Sequence, residues 1–251
     1  MSDSLVIIPT YNEKENVAQI IEAVLALPHD FHVLIVDDSS PDGTGDIVKE
    51  IQKVKSEHVH LLSRAGKEGL GKAYIAGFKW AIQKDYAYIF EMDADFSHDP
   101  KNLLDLYRAC NKEGADMSIG SRYIKGGGVV NWDWYRLLLS YGGSIYVRLI
   151  TGMRVKDATA GFVCYRKEVL ETIDLDNIKF VGYAFQIEMK YNAHKLGFKL
   201  KEVPITFKDR EEGVSKMSGS IVGEAIKGVI SMRMSKVKPR EKKASPAKNF
   251  A

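Results

Sequence analysis

Short apolar runs closed by turn residues alternate along the chain with longer stretches whose apolar positions recur at helical spacing. Leu5 to Ile8, His32 to Val36, His58 to Leu62 and Tyr86 to Met92 read as strands. Between them, helices are predicted from Asn12 to about Leu27, from the Ser39–Gly43 turn to about Val54, and over Gly71 to Gln83. Asn12 and Glu15 have the spacing of a capping box. The second half continues the alternation. A helix from Pro100 to Glu113 stops at Gly114, and a strand covers Met117 to Gly120. Gly126, Gly127 and Gly128 read as a mobile loop. A helix from Trp132 to Thr151 closes at Gly152, followed by a strand over Phe162 to Tyr165, a helix over Gly182 to Leu196 and a last strand over Lys199 to Phe207. Beyond a polar stretch, Ile221 to Met234 is amphipathic. This order predicts an α/β fold with a mostly parallel sheet covered by helices on both faces. Residues 1–234 are expected to form one domain and 235–251 a disordered tail.

The fourth strand leads directly into Asp93-Ala-Asp95, and Asp99-Pro100 supplies the N-cap and first position of the following helix. Asp93 and Asp95 are therefore left for other work. Carboxylates at i and i+2 of an extended backbone share a side, and the C-terminal strand ends of an open α/β sheet form its ligand crevice. A hard oxygen pair of this kind suits Mg²⁺ or Mn²⁺ holding a diphosphate. Pro9, Tyr11 and Glu13 follow the first strand and Asp37-Asp38 the second, on the same expected edge. There an aromatic ring can stack on a base, and a carboxylate can accept from its N–H groups or from ribose hydroxyls. Turn formation and helix-dipole complementarity account for each of these residues singly; their convergence favours a nucleotide site.

Gly66 to Lys72 has the spacing of a Walker A loop, but Ala73 stands where a hydroxyl would hold Mg²⁺. It is read instead as a Gly-rich turn beside the nucleotide. Charge excludes another class. From Arg233 onward seven Lys and Arg face only Glu241, so this end carries +6 and the remainder of the +3 chain −3. That is not a nucleic-acid-binding domain; the basic end is a solvated terminus or a tether to an anionic membrane surface. Cys110 and Cys164 lie in apolar surroundings, as packed thiols of a reducing compartment do. A core strand begins at Leu5 with no signal-peptide pattern before it, and the longest apolar stretch, Leu137 to Ile150, is short and carries Arg148.

Leu5 to Glu13, Val36 to Thr44, Gly69-Leu-Gly71, Asp93-Ala-Asp95 and Gly120 to Tyr123 resemble the family-two inverting glycosyltransferases of GT-A fold. Gly182 to Met189, Glu202 to Arg210 and Ser215-Lys216 are similar to the dolichol-phosphate (polyprenol-phosphate) mannosyltransferases of catalytic-subunit type. The resemblance spans about residues 4 to 230. It implies that Pro9, Tyr11, Glu13, Val36 and Asp38 hold the guanosine of GDP-mannose. Asp93, Ala94 and Asp95 would meet diphosphate, ribose and metal, and Arg122, Arg210 and Lys216 the phosphates. Arg122, Arg136 and Ser140 would meet the phosphate of a polyprenyl or dolichyl acceptor. Some relatives carry Gln where Ser97 stands here, which leaves a third side-chain ligand in doubt.

An acceptor phosphate is already anionic, so no strong general base is required; His98 is read as a loop or capping residue. Apolar helices beside a basic end would suit an enzyme at the cytosolic face of a membrane, with a small membrane partner subunit in some relatives. A UDP-glucose donor, or a non-catalytic subunit that binds nucleotide or lipid phosphate, are the alternatives.

Overall fold

The computed structural model describes residues 2–209 and 228–240. In chain order the elements are β1 (Ser4–Thr10), α1 (Val17–Leu25), β2 (Phe31–Asp37), α2 (Thr44–Val54), β3 (Val59–Ser63), α3 (Leu70–Ile82), β4 (Tyr88–Glu91), α4 (Asn102–Asn111), β5 (Met117–Ser121), β6 (Gly128–Val130), α5 (Trp134–Thr151), β7 (Val163–Arg166), α6 (Lys167–Thr172), α7 (Tyr183–Lys195), β8 (Leu200–Pro204) and β9 (Thr206–Lys208). Residues 228–234 are also helical. Seven strands form one sheet in the order β3-β2-β1-β4-β7-β5-β8, with β7 antiparallel to both of its neighbours.

In β1, Leu5 and Ile7 face a core shared with α3, α6 and α7, whereas Val6 and Ile8 face one shared with α1 and α4. A strand buried on both faces must be apolar throughout, which is why the run was so legible. Its neighbours place the site. The chain moves outward from β1 through β2 to β3, then crosses to the opposite side of β1 for β4. Ligand crevices of open α/β sheets form at such a switch point. The β1–β4 ladder ends where Met92 N–H reaches Ile7 O at 3.2 Å. Pro9, two residues on and facing the same side, has no N–H to continue it. The two strand ends therefore part at the expected edge.

Several expectations need correction. The first helix begins at Val17, not Asn12, and no Asn12–Glu15 capping box forms. Asn12 is left-handed (φ 61°), and the N–H groups of Asn12, Glu13 and Lys14 donate across to Ser40, Thr44 and Asp42. Those bonds hold the segment as a loop against the β2–α2 turn. The last strand is broken at Ile205, where the chain leaves the main sheet; β9 then pairs in parallel with β6. The Gly126–Gly128 segment is thus pinned at its far end. The short α6 was not anticipated. Nor is all of 235–251 a detached tail: Val237 packs on a third apolar cluster, Pro239 bridges Ile173, and Arg240 N–H donates to Thr172 O. Residues 241–251 lie outside the described residues.

The Gly-rich turn before α3 is a packing device. A Cβ at Gly71 would lie 2.8 Å from the Phe185 ring and 3.0 Å from Phe180 O. Gly71 N–H donates to Val181 O, and Lys72 pairs with Glu68 on the surface. Gly71→Ala should therefore lower stability by about 1–2 kcal/mol. The overpacking cost of about 1–3 kcal/mol exceeds a helix-propensity gain of at most about 1 kcal/mol. Urea denaturation measures the balance; an unchanged midpoint would mean that Phe185 simply moves aside.

Candidate active site

Beyond β4 the chain bends, with Phe96 left-handed (φ 57°), and Asp93 and Asp95 sit in this bend rather than on the strand itself. The bend is fixed locally: Asp95 Oδ1 accepts from Ser97 N–H (3.1 Å), and Asp99 Oδ1 from Lys101 N–H (3.0 Å). Asp99 thus holds the turn ahead of α4, which starts at Asn102 with Lys101 as its N-cap, two residues later than the Asp99–Pro100 start expected from the sequence. Both site carboxylates line a cavity of about 270 Å³. His98 and Ser97 form part of its floor, and His98 Nδ1 and Ser97 Oγ are buried without hydrogen-bond partners. His98 stacks on Phe162 (4.8 Å between ring centres) and lies 3.9 Å from Asp93 Oδ2. Burial pushes its pKa down to about 4, so the ring is neutral across the physiological range. Two hard carboxylate donors on one wall, above orphaned polar atoms, fit a divalent cation.

Arg122, Arg136 and Ser140 line the same cavity. Arg122 is not a surface arginine. Its Nε and Nη2 grip both oxygens of Asp157 (2.7 and 2.6 Å), its own N–H donates to Asp157 Oδ2, and Nη2 also reaches Thr159. Asp157 is fully buried, and its N–H donates in turn to Glu202. A buried carboxylate needs a paired cation, and a bidentate arginine supplies it. The guanidinium also lies over the Tyr123, Trp132 and Phe207 rings. Arg136, on the first turns of α5, stacks on Trp132 (4.2 Å) and pairs with Asp209 (2.6 Å). Ser140 Oγ accepts from the Tyr123 hydroxyl at 2.6 Å. The described chain before residue 210 ends with Asp209 on the cavity wall; Arg210 and Lys216 lie outside the described residues.

The expected nucleoside residues gather at the neighbouring β1 and β2 ends but do not line this cavity. Lys67 sits over the Tyr11 ring (4.3 Å), and Glu13 accepts from Asn16. Asp38 pairs with Arg64 (2.7 Å), and burial raises its pKa against that pairing. Val36 is fully buried, so only its main chain is left to meet a base; Pro9 stays half-buried and Ala94 is buried beside the aspartates. Asp37, beside Asp38, accepts from Thr10 and Ser40 and so organises the turn.

Sequence reasoning missed Asp157, Glu202, Gln186 and Asp209. Asp157 left no signal of its own, standing after Arg154 and Lys156 in the loop before β7. The others fall within the Gly182–Met189 and Glu202–Arg210 segments that carry the resemblance, but their contacts come from residues distant in sequence.

Residues 5–174 match the family model described as Glycosyl transferase family 2. The chain is 49% identical over 223 residues to a polyprenol monophosphomannose synthase of Mycolicibacterium smegmatis, covering 89% of this chain and 84% of that one. It is 47% identical over 225 residues to an undecaprenyl-phosphate mannosyltransferase of Micrococcus luteus, covering 90% and 91%. Among solved structures, glucosyl-3-phosphoglycerate synthase of Mycobacterium tuberculosis, in complex with Mn²⁺, UDP and glucosyl-3-phosphoglycerate, superposes with TM-score 0.62 at 16% identity over 91% of this chain and 77% of that one. A Pyrobaculum calidifontis mannosyltransferase in complex with GDP-Man and Mn²⁺ gives TM-score 0.57 at 14% identity, over 89% and 60%. The sheet order, the carboxylate pair beyond β4 and these matches agree: the chain belongs to glycosyl transferase family 2 and is a glycosyltransferase of GT-A fold.

Proposed function

We propose that this enzyme transfers mannose from GDP-mannose to a polyprenyl phosphate with inversion, giving a lipid-linked β-mannosyl phosphate. The names of its relatives support the sugar and the acceptor class. The observation that carries the reading is one cavity joining the Asp93/Asp95 pair to Arg136 and Ser140 on α5, a helix whose outer face is apolar and exposed.

The donor would lie across the β1–β4 opening. Tyr11, Glu13, Asp38 and the Val36 main chain would face the guanosine beside Pro9, and Asp93, Ala94 and Asp95 the ribose and diphosphate. A Mg²⁺ or Mn²⁺ held by Asp93 and Asp95 would offset charge on the departing diphosphate. Arg122, fixed by Asp157, orients phosphate oxygens, and Arg210 and Lys216 are assigned to the same charge. Arg136 would exchange part of its bond to Asp209 for the acceptor phosphate, with Ser140 beside it. That phosphate brings its own negative oxygen, so alignment rather than proton abstraction limits the reaction. A neutral, buried His98 is consistent with this.

The lipid tail needs an apolar exit. On α5, Trp134 is 75% exposed, Leu138 58% and Leu149 79%, while on the adjoining segment Met234 is 81% exposed. Contiguous apolar exposure of this extent marks an interaction surface. Among the described residues no helix is long and apolar enough to cross a membrane. We therefore assign the α5 face to lying on a membrane surface, assisted by Arg233, Lys236, Lys238 and Arg240.

The direct test supplies labelled GDP-mannose or UDP-glucose with polyprenyl phosphate and divalent cation. Mannosyl lipid should form from the first donor only, and glucosyl lipid from the second would overturn the donor assignment. Asp95→Asn should abolish transfer while preserving the fold, since the amide oxygen can still accept from Ser97 N–H but the anionic ligand is lost. Wild-type turnover at saturating Mn²⁺ would remove the metal assignment. Arg136→Ala should raise the apparent KM for lipid phosphate about tenfold or more, the range expected for losing a charge-assisted bond of about 1.5–3 kcal/mol, and leave that for GDP-mannose unchanged. An unchanged acceptor KM would show the acceptor side to be misplaced. Leu138→Glu with Leu149→Glu should weaken binding to anionic vesicles while sparing activity on a short, water-soluble acceptor. Unaltered vesicle binding would dissociate α5 from the membrane.

A further inference from the structure

Four of the six histidines, His29, His32, His58 and His60, lie near the N-terminal edge of the β1–β3 sheet half, far from the crevice. Transfer chemistry gives them no task there. Asp30 and His32 flank Phe31, the first residue of β2, and at i and i+2 share one side of the strand. His58 directly precedes β3, and the β2–β3 register, with Val33 opposite Val59, sets it beside His32. Asp30, His32 and His58 each offer one ligand atom, and all three atoms lie within 4.8 Å of one another. His58 Nε2 is 3.6 Å from Asp30 Oδ1, and the His32 and His58 rings are 5.1 Å apart.

The surroundings complete the pattern. His32 Nδ1 is bonded to the Tyr86 hydroxyl at 2.8 Å, and the same hydroxyl reaches His60 Nε2 at 3.1 Å. In the tautomer in which His32 Nδ1–H donates to Tyr86 and Tyr86 O–H donates to His60, Nε2 of His32 is unprotonated and is the ring's ligand position. Metal-bound histidines are oriented in this way by a partner on the other ring nitrogen. Burial lowers the pKa of His32, which favours the neutral imidazole a cation requires. Asp30 and His58 are open to solvent and give a path of entry.

We propose that Asp30, His32 and His58 form a second metal site, separate from the Asp93/Asp95 pair, that takes a zinc-class divalent cation. Two imidazoles and one carboxylate select Zn²⁺, Co²⁺ or Ni²⁺ over Mg²⁺, which prefers oxygen alone. The remaining coordination positions belong to water. About six residues of β2, roughly 20 Å at strand rise, separate this site from the crevice. Its bound ion would clip the start of β2 to the start of β3 and stabilise the fold by mass action.

The test is a Zn²⁺ titration of the full chain by calorimetry with Mg²⁺ in large excess, followed by thermal melts and Co²⁺ spectra. Wild type and Asp95→Asn should each bind one Zn²⁺ with the same affinity and melt at a higher temperature with it. His58→Gln should bind at least tenfold more weakly, lose the thermal shift and lose the ligand-field bands of bound Co²⁺. Asp30→Asn, at an exposed side chain, provides the same reading if His58→Gln folds poorly. Undiminished Zn²⁺ affinity in both variants would overturn the site, and so would loss of Zn²⁺ binding in Asp95→Asn, which would place the ion in the crevice.

Discussion

The separation of β1 from β4 at their C-terminal ends is the constraint from which the site follows. Paired strands close their hydrogen bonds as far as both backbones have donors and acceptors. Here the ladder stops at the Met92 N–H to Ile7 O bond, and Pro9 cannot resume it. The loops after β1 and β4 must then diverge, one toward the β2–α2 turn and the other toward α4. Asp93 and Asp95 occupy the second path and Tyr11 and Glu13 the first. A donor long enough to have a base and a diphosphate can lie across both only because the ends are apart.

Beneath the cavity, buried charges hold the wall rigid. Glu91, on β4, is fully buried and accepts from Tyr165 of β7 and Gln186 of α7. Lys190, also fully buried, donates to Ala160 O and to Gln186. Burial raises the Glu91 pKa and lowers that of Lys190, and their mutual attraction opposes both shifts. Removing one partner from such a network strands the other, which typically costs about 3–5 kcal/mol. Together with Asp157, Arg122 and Glu202, the network ties β4, β7, β8 and α7 to the residues that line the cavity. The cavity-lining Arg122 and Gln186 are thus held from behind by the buried Asp157, Glu91 and Lys190.

How much could be read from the sequence depended on how local the cause was. Strands buried on both faces announce themselves as apolar runs, and the Asp93/Asp95 pair was visible because it follows one. The start of α1 was misread because the loop's N–H groups bond to Ser40, Asp42 and Thr44, roughly thirty positions away. The break at Ile205 escaped for a similar reason: β6, with which the chain beyond the break pairs, begins in a glycine segment that looks structureless in isolation. Asp157 and Glu202, 45 positions apart, have meaning only as a pair. Tertiary hydrogen bonding, rather than residue propensity, decided each of these cases.

The charge of the cavity wall bears on the chemistry. Among the described residues that line it, Asp93, Asp95 and Asp209 supply three formal negative charges and Arg122 and Arg136 two positive ones. The lining therefore sums to −1. His98 is neutral and does not alter the sum. A surface of that sign repels a nucleotide diphosphate and a phosphomonoester alike, and in a partly enclosed cavity the repulsion is less screened than in water. On the proposed reading, one divalent cation at the aspartate pair would turn this sum positive. The rest of the positive surplus that two anions require must then come from beyond the wall, and Arg210 and Lys216 are the residues of this chain whose resemblance assigns them to phosphates. If the aspartate pair holds a cation as proposed, the anion site would be incomplete until that cation arrives.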